Sequence, residues 1–298
     1  MSALNIAQLY AAVEPVARKW FNSGMGKDPA QFSQIAEVNS VDVPIREFAE
    51  WAGPQQLELK VENAPMTVRT VALGTPKRVQ VATFAGALEY SREAVTDVKI
   101  SQLKTPAQAL GRAASKTPEY LFAQFLDRSH NSAYPVTADN VELCSASHLT
   151  PYGTTYANTL ATPAALSETS LEDIRTALRT MIGPDGMLAP VMPKKLIVPS
   201  ALDVLSEKLV KSEKTLGSAN NDPSVIQGMK RMVFDYLTNT TRFYVQTDAD
   251  DGFYWDWREK PQFERDNVAL TMQAVFICFF RAMWGAENAR CVYASNAT

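Results

Sequence analysis

Hydrophobic and polar positions change rhythm several times along the chain, and each change marks a different element. Leu4, Leu9, Val13 and Val16 predict a helical opening, and a loose passage from Gly24 to Pro29 comes after it. The first 45 residues are therefore expected to hold little core of their own. From Ile45 to Lys99 the chain reads as extended. Leu57, Leu59 and Val61 alternate there with Glu58, Lys60 and Glu62, and Val79 and Val81 come after Gly74-Thr75-Pro76. This pattern predicts a long antiparallel hairpin with irregular ends. A two-stranded ribbon buries few side chains against the entropy of ordering every residue, so it is marginal in water and something else has to cover it.

Helical rhythm returns at Thr105, the expected N-cap, with Pro106 at the first helical position and Ala107, Gln108, Ala109 and Leu110 after it. Thr117-Pro118-Glu119 offers a second start, and Leu121, Phe122, Phe125 and Leu126 form one broad apolar face. One kinked helix or two abutting helices are expected from Pro106 to about Arg128, a rod roughly 35 Å long. A loop-rich stretch, Ser129 to Pro163, comes next. Thr169 and Glu172 then match a capping box, Leu171, Ile174, Leu178 and Met181 recur at helical spacing, and Gly183-Pro184-Asp185-Gly186 is expected to stop that helix. Lys195 to Pro199 predicts a short buried strand, and Ser200 a cap for a further helix with Leu202, Leu205 and Leu209 on one face. Strands are expected at Met232 to Tyr236 and Phe243 to Val245, with Asp248 to Gly252 as a hairpin turn into Phe253-Tyr254-Trp255-Asp256-Trp257. A last strand is expected from about Met272 to Met283. Without a regular βαβ rhythm or an internal repeat, the class is α+β.

Charge narrows the range of functions. With 29 basic against 32 acidic side chains, the formal charge of −3 argues against a dedicated nucleic-acid binder or a polybasic membrane-surface protein. Cys144, Cys278 and Cys291 are far apart with no C-x-x-C pair, which suggests neither a zinc knuckle nor a disulfide framework and fits a reducing compartment. Met1 to Tyr10 lacks the basic start and continuous apolar core of a signal peptide, so no leader or long propeptide is expected to have been removed. The most apolar stretch, Val268 to Gly285, is interrupted by Gln273 and Arg281 and falls short of the roughly 20 apolar residues of a spanning helix, so it reads as buried strand.

Candidate chemistry is sparse. His130 and His148 are the two histidines; Cys144 with His148 could be a nucleophile and base, but nothing marks the third group that would orient them. Gly24-Met25-Gly26-Lys27 lacks the spacer and the hydroxyl residue of a phosphate loop. Asp248-Ala249-Asp250-Asp251-Gly252 has the carboxylate density of a calcium loop, but its glycine comes one place early. Asn239-Thr240-Thr241 and Asn296-Ala297-Thr298 match glycosylation acceptors and have no consequence without a secretory leader. The aromatic runs at Phe253 to Trp257 and at Phe276, Phe279 and Phe280 are interleaved with acids, not with the basic residues of a base-stacking platform, and read as packing. No enzyme activity, cofactor or metal is predicted. A foldable chain with an unsupported hairpin and no active site is expected to bury that hairpin on copies of itself.

Four segments, in order, carry a resemblance: Leu88-Glu89-Tyr90-Ser91-Arg92-Glu93-Ala94 closing the hairpin, Leu110-Gly111-Arg112-Ala113-Ala114 on the helix, Leu143-Cys144-Ser145-Ala146-Ser147-His148 with Asn158 beyond it, and Lys195-Leu196-Ile197-Val198-Pro199-Ser200-Ala201. From about Phe48 to Ser295 the chain resembles the major capsid proteins of tailed bacteriophages with the HK-97-like fold, particularly the Mu-like major head subunits. The resemblance implies an N-terminal arm at 1–45, an extended loop at 46–90, a peripheral domain from 91–189 and 263–298 around a spine helix at about 104–128, and an axial domain at 190–262. Pro118 departs from the usual continuous spine, and no scaffolding-like extension precedes the arm.

The same resemblance implies an icosahedral shell of hexamers and pentamers in the virion, assembled in the host bacterial cytoplasm without a membrane. Its contents would be double-stranded DNA, touched without sequence preference, and its partners a portal and, as an optional addition, a decoration or cement protein; a separate scaffolding protein is implied, or assembly without one. Each loop would lie over a neighbour's spine. The residues expected at that interface are Trp51, Arg69, Lys77 and Arg78 on the loop and Glu119 and Asp127 near the spine, with charge fixing register. Lys60 and Lys77 lie in the loop, but no matching asparagine or activating carboxylate is evident, so no isopeptide crosslink is expected. The rival readings are an encapsulin-like nanocompartment, a Cys144/His148 hydrolase, and a tail or baseplate protein.

Overall fold

The computed structural model describes residues 6–27, 29–63, 65–90, 104–212, 229–268 and 273–296. The end of the first marker segment, Ser91 to Ala94, and the expected strand start at Met272 lie outside the described residues. The chain divides into two compact units, one from 1–45, 80–122 and 255–283, the other from 46–79, 123–254 and 284–298.

The first unit is built on a four-stranded sheet. Its strands are β1 (Glu37–Ser40), β6 (Ala82–Tyr90), β12 (Phe253–Val268) and β13 (Gln273–Ala286), in the order β1-β12-β13-β6. β13 runs antiparallel to β6 with Phe276 opposite Leu88 and Phe280 opposite Phe84, the latter two rings stacked at 5.1 Å. The most apolar stretch of the sequence is thus a buried strand, with Val275, Phe276, Cys278, Phe280, Ala282 and Met283 all inside. No helix of the described residues is long and apolar enough to cross a membrane.

Two helices belong largely to this unit. The opening helix, α1 (Ile6–Met25), is 20 residues long, and its Ala17 and Phe21 join Ala114, Phe263, Phe276 and Cys278 in one buried cluster. Phe32, further along, packs 4.8 Å from Trp255. The opening segment therefore contributes to a core that it shares with the second helix and the sheet and does not build one of its own. The signal in the sequence is weak, because Phe21, Phe32 and Ile35 are spaced too irregularly for any single period. The second helix, α2 (Lys104–Asp127), is one element of 24 residues with Pro118 inside it. Lys104 and Thr105 are both already helical, so Thr105 is not the cap. Glycine fixes how closely α1 and α2 approach. A Cβ on Gly111 would sit 2.1 Å from Phe21 O, and one on Gly24 would sit 2.2 Å from Gln108 O. Gly24 is thus a packing residue, not part of a phosphate loop.

In the second unit a sheet runs β10-β9-β11-β14, from β9 (Pro193–Val198), β10 (Lys230–Val233), β11 (Tyr244–Thr247) and β14 (Val292–Ala294). β10 is parallel to β9, and β11 is antiparallel to β9 and β14. Leu196, Val198, Phe243, Val245 and Tyr293 pack with Leu171, Ile174 and Leu178 of α3 (Glu168–Arg179) and Leu209 of α4 (Asp203–Lys211). Two local expectations shift here. The capping box of α3 is formed by Ser167 and Ser170, not Thr169 and Glu172, and the helix ends at Arg179, before the Gly183–Gly186 turn. Ser200 opens a single 3-10 turn, and α4 starts three residues later with no side-chain cap. Residues 248–252 do not make a hairpin, because β11 and β12 belong to different sheets.

The extended segment keeps strand pairing only at its root. There β2 (Ile45–Phe48) pairs with β5 (Lys77–Gln80), and β3 (Trp51–Ala52) with β4 (Ala72–Leu73). No strand pairing joins the described residues of 53–71, so the predicted hairpin is realised as a short ladder carrying an open tip.

Candidate subunit interface

The tip of the extended segment exposes the apolar side chains that its alternation placed on one face. Leu59 is 95% and Val68 88% exposed, and Leu57, Val61, Met66 and Val71 are also largely in solvent. Asn63, at φ 61°, turns the chain between the two arms. The arms are tied by Glu58, which accepts from Arg69 at 2.7 Å and from Thr67 at 3.1 Å. Between them lies a recess of about 410 Å³ lined by Leu57, Leu59, Val61, Met66 and Arg69. Contiguous exposed apolar surface flanked by polar groups marks a surface that another protein covers. Covering one such side chain completely stabilises by roughly 1.5–3 kcal/mol before the ordering cost.

The root, by contrast, is fastened. Glu50 pairs with Arg290, whose side chain is almost fully buried and whose guanidinium lies 3.9 Å over the Tyr156 ring. Arg46 pairs with Glu287 and stacks 4.2 Å over Tyr254. The Tyr152 hydroxyl lies 2.6 Å from Thr70 O and 3.1 Å from Gly53 O, touching both arms where they leave the ladder. Lys77 donates to Pro135 O at 2.9 Å and to Asn140 Oδ1 at 3.2 Å, and Arg78 pairs with Glu47 at 3.1 Å. A single chain thus holds the base of the segment and leaves its end uncovered.

The residues expected at the interface divide accordingly. Trp51, at the root, is 68% exposed and sits opposite Leu73 in the ladder, so it is presented for contact. Arg69, Lys77 and Arg78 each have a partner within the chain. Glu119 is 3% exposed and accepts the backbone N–H groups of Gln31 and Phe32 at 2.7 and 2.9 Å. Burial raises its carboxyl, against the pull of those two bonds. It acts inside the chain, where the Thr117-Pro118-Glu119 pattern suggested a surface helix start. Asp127 accepts from Thr238 N at 2.9 Å and Thr238 Oγ1 at 2.6 Å, and its carbonyl takes Arg242 Nη1 at 2.8 Å. The two acids are therefore occupied by their own chain. Glu50, Arg290, Arg46, Glu287 and Tyr152 are invisible in the sequence, because their partners are separated by as many as 241 residues.

The hydrolase reading does not survive the geometry. Cys144 is buried, and desolvation pushes its thiol up to about 12, far from a thiolate nucleophile. The ring nitrogens of His148 face Asp139 and Asn158. His130, lowered to about 4 by burial and by Arg242, bonds Ser129 and Thr159. No group of His, Cys, Asp or Glu able to hold a metal occurs among the described residues. Asp248, the first acid of the supposed calcium loop, instead accepts the Met192 N–H at 2.7 Å.

The sequence model of the phage capsid protein family matches residues 74–295. No curated protein matches in sequence. Among solved structures, the capsid of the native GTA particle superimposes at a TM-score of 0.58 with 13% identity, covering 91% of each chain. The capsid of Ralstonia phage GP4 does so at 0.56 with 11% identity, over 88% of this chain and 86% of that one. The virus-like particle from Pyrococcus furiosus gives 0.54 with 10% identity, over 95% and 98%. At these identities the likeness is one of fold, and it is the HK-97-like α+β capsid fold.

Proposed function

The chain belongs to the phage capsid protein family, and from that premise we propose that it is the major head subunit of a tailed bacteriophage, closing an icosahedral shell of hexamers and pentamers around double-stranded DNA. The observation that carries the assembly half of this reading is the extended segment. Its root is locked by Glu50–Arg290 and Arg46–Glu287, while Leu59, Val68 and their neighbours lie bare and no strand pairing joins the described tip residues. A neighbouring copy that covered those side chains would supply the missing apolar contacts and hydrogen-bond partners.

In this reading residues 1–45 form the arm, 46–90 the loop, 91–189 with 263–298 the peripheral domain, and 190–262 the axial domain. The loop lies over the neighbour's spine, and contact is led by Trp51 and the apolar tip, since Arg69, Lys77 and Arg78 each have a partner within their own chain. The near-neutral charge suits a container from which packaged DNA must be released. A portal, a separate scaffolding protein and a decoration protein complete the proposed set of partners, with assembly in the bacterial cytoplasm and no catalytic role. Affinity to the Mu-like subgroup is part of the same proposal.

Deleting Gln55 to Val71 tests the clamp role. Soluble capsomers without shells support it, and normal closed shells from the deleted protein contradict it. The likeness to the Pyrococcus furiosus virus-like particle keeps a nanocompartment as the second reading. Nucleic acid and a portal vertex in particles recovered from infected cells decide for the virus, and enclosed cargo protein decides for the compartment. Rings or tubes in electron micrographs would point instead to a tail component.

A further inference from the structure

The polar groups of the loop-rich stretch converge on His148 and Asn158, two marker positions that shell formation leaves without a role. Asn158 is fully buried, and its Nδ2 lies 2.7 Å from Leu143 O and 2.8 Å from Ala289 O. Carbonyl oxygens only accept, so the orientation of this amide is fixed and its Oδ1 is an acceptor. That oxygen receives the Ser145 N–H at 2.8 Å, and the other atom facing it, at 3.2 Å, is His148 Nε2. Nε2 must therefore carry a hydrogen. On the far side of the ring, Nδ1 is 2.9 Å from Asp139 Oδ2, which also takes the Leu149 N–H at 3.0 Å. A hydrogen has to lie between Nδ1 and Oδ2 as well, since two bare lone pairs would repel there.

From this geometry we infer that His148 is held as a doubly protonated imidazolium against an ionised Asp139, and that the pair is a latch within the second unit that opens when the solution turns alkaline. The Asp139 carboxyl also accepts the Thr137 hydroxyl at Oδ1 and the Leu149 N–H at Oδ2, and donors converging on both oxygens favour the ionised form, so the shared hydrogen belongs to Nδ1. The surrounding charges leave this pairing intact. The Tyr156 ring stacks on the imidazole at 5.0 Å, and the Arg290 guanidinium over that same ring is paired with Glu50. Burial raises the Tyr156 hydroxyl and the Cys144 and Cys291 thiols, which keeps all three neutral.

Loss of one proton would leave Asp139 as an uncompensated charge in a buried site, or would strip Asn158 Oδ1 of a donor. Asn158 is the joint on which this strain falls. Its amide ties Leu143 and Ser145 to Ala289, and its carbonyl accepts the Ala294 N–H at 3.0 Å. Solvent can reach the pair, because Asp139 retains 12% side-chain exposure and lines a recess of about 200 Å³ together with Glu50 and Trp51 of the loop root.

The chain has two histidines, which makes the test direct. The full-length protein, labelled with ¹⁵N-histidine, is examined by NMR at about pH 7.5, roughly one unit above the ordinary imidazole value. A His130→Gln variant assigns the signals. Both nitrogens of His148 are expected in the protonated form there and His130 in the neutral form; a singly protonated His148 overturns the inference. The pH is then raised to about 10. Loss of the His148 signal should coincide with a fall in hydrogen-exchange protection at Ser145, Asn158 and Ala294, corrected for the intrinsic base-catalysed rate. Protection that persists through that loss would show that the pair is no latch.

Discussion

Replacing Leu59 and Val68 together by serine should uncouple assembly from folding. Both side chains are almost wholly in solvent in the single chain, so the subunit itself should change by no more than about 0.5 kcal/mol. If a neighbour covers them in the shell, the lost burial is about 2 kcal/mol for each, or roughly 3–5 kcal/mol per loop contact once the range of the transfer coefficient is allowed for. At 1.4 kcal/mol per decade, that raises the protein concentration needed for assembly by a factor between about a hundred and a few thousand. Light scattering against subunit concentration gives the threshold, and urea unfolding of unassembled subunits gives the control. An unchanged threshold would refute the idea that the loop tip is a contact surface. A subunit destabilised by more than about 1 kcal/mol would show that the tip already packs on its own chain.

Packing and charge lead to three further outcomes. Glu50→Ala leaves the Arg290 guanidinium buried without its carboxylate, and should cost about 3 kcal/mol in denaturant unfolding; the low end of the range applies because Glu50 is partly exposed. Gly111→Ala forces a methyl group to 2.1 Å from Phe21 O, so α1 and α2 must separate, and the melting temperature should fall by several degrees while Gly26→Ala, with 3.6 Å available, has little effect. Asp139 has its folded value lowered to about 2, so its contribution is present above the unfolded value of about 3.9 and is lost as the pH falls from there towards 2. Acid unfolding curves of Asp139→Asn should lack that part, about 2 to 3 kcal/mol at neutral pH, and a variant whose acid limb matches the unaltered protein would contradict the ionised assignment.

Periodicity is informative wherever one side of an element is dry. Leu171, Ile174 and Leu178 recur at helical spacing because that stripe lies on a sheet, and all three are buried in α3. The cap lies two residues before its expected place because Thr169 and Ser167 are chemically equivalent candidates, and only the backbone bend at Ser167 decides between them. Alternation in Leu57, Leu59 and Val61 correctly announces extended chain, yet it cannot say that the cross-strand bonds stop at Ala52 and Ala72, since pairing depends on the partner arm and not on the pattern of one arm. The role of Glu119 is hidden for a related reason. A glutamate after proline looks like the exposed first turn of a helix, but the N–H groups of Gln31 and Phe32, 88 and 87 residues away, convert it into a buried acceptor. Gly111 stands out in the sequence as part of a motif, but its purpose, the contact with Phe21, emerges only once α1 and α2 are brought together.

The short ladder at the root has a mechanical consequence. Two arms joined by full hydrogen-bonded pairing would form a stiff beam set at one angle. Here the described residues of 53–71 carry no such rungs, and the beam ends at Ala52 and Ala72. Beyond that point the projection can bend or splay without breaking any rung of its own ladder, so genetically identical tiles can meet at unequal dihedral angles and still grip. Tolerance of curvature is then a property of the finger and need not be borne by the two packed cores.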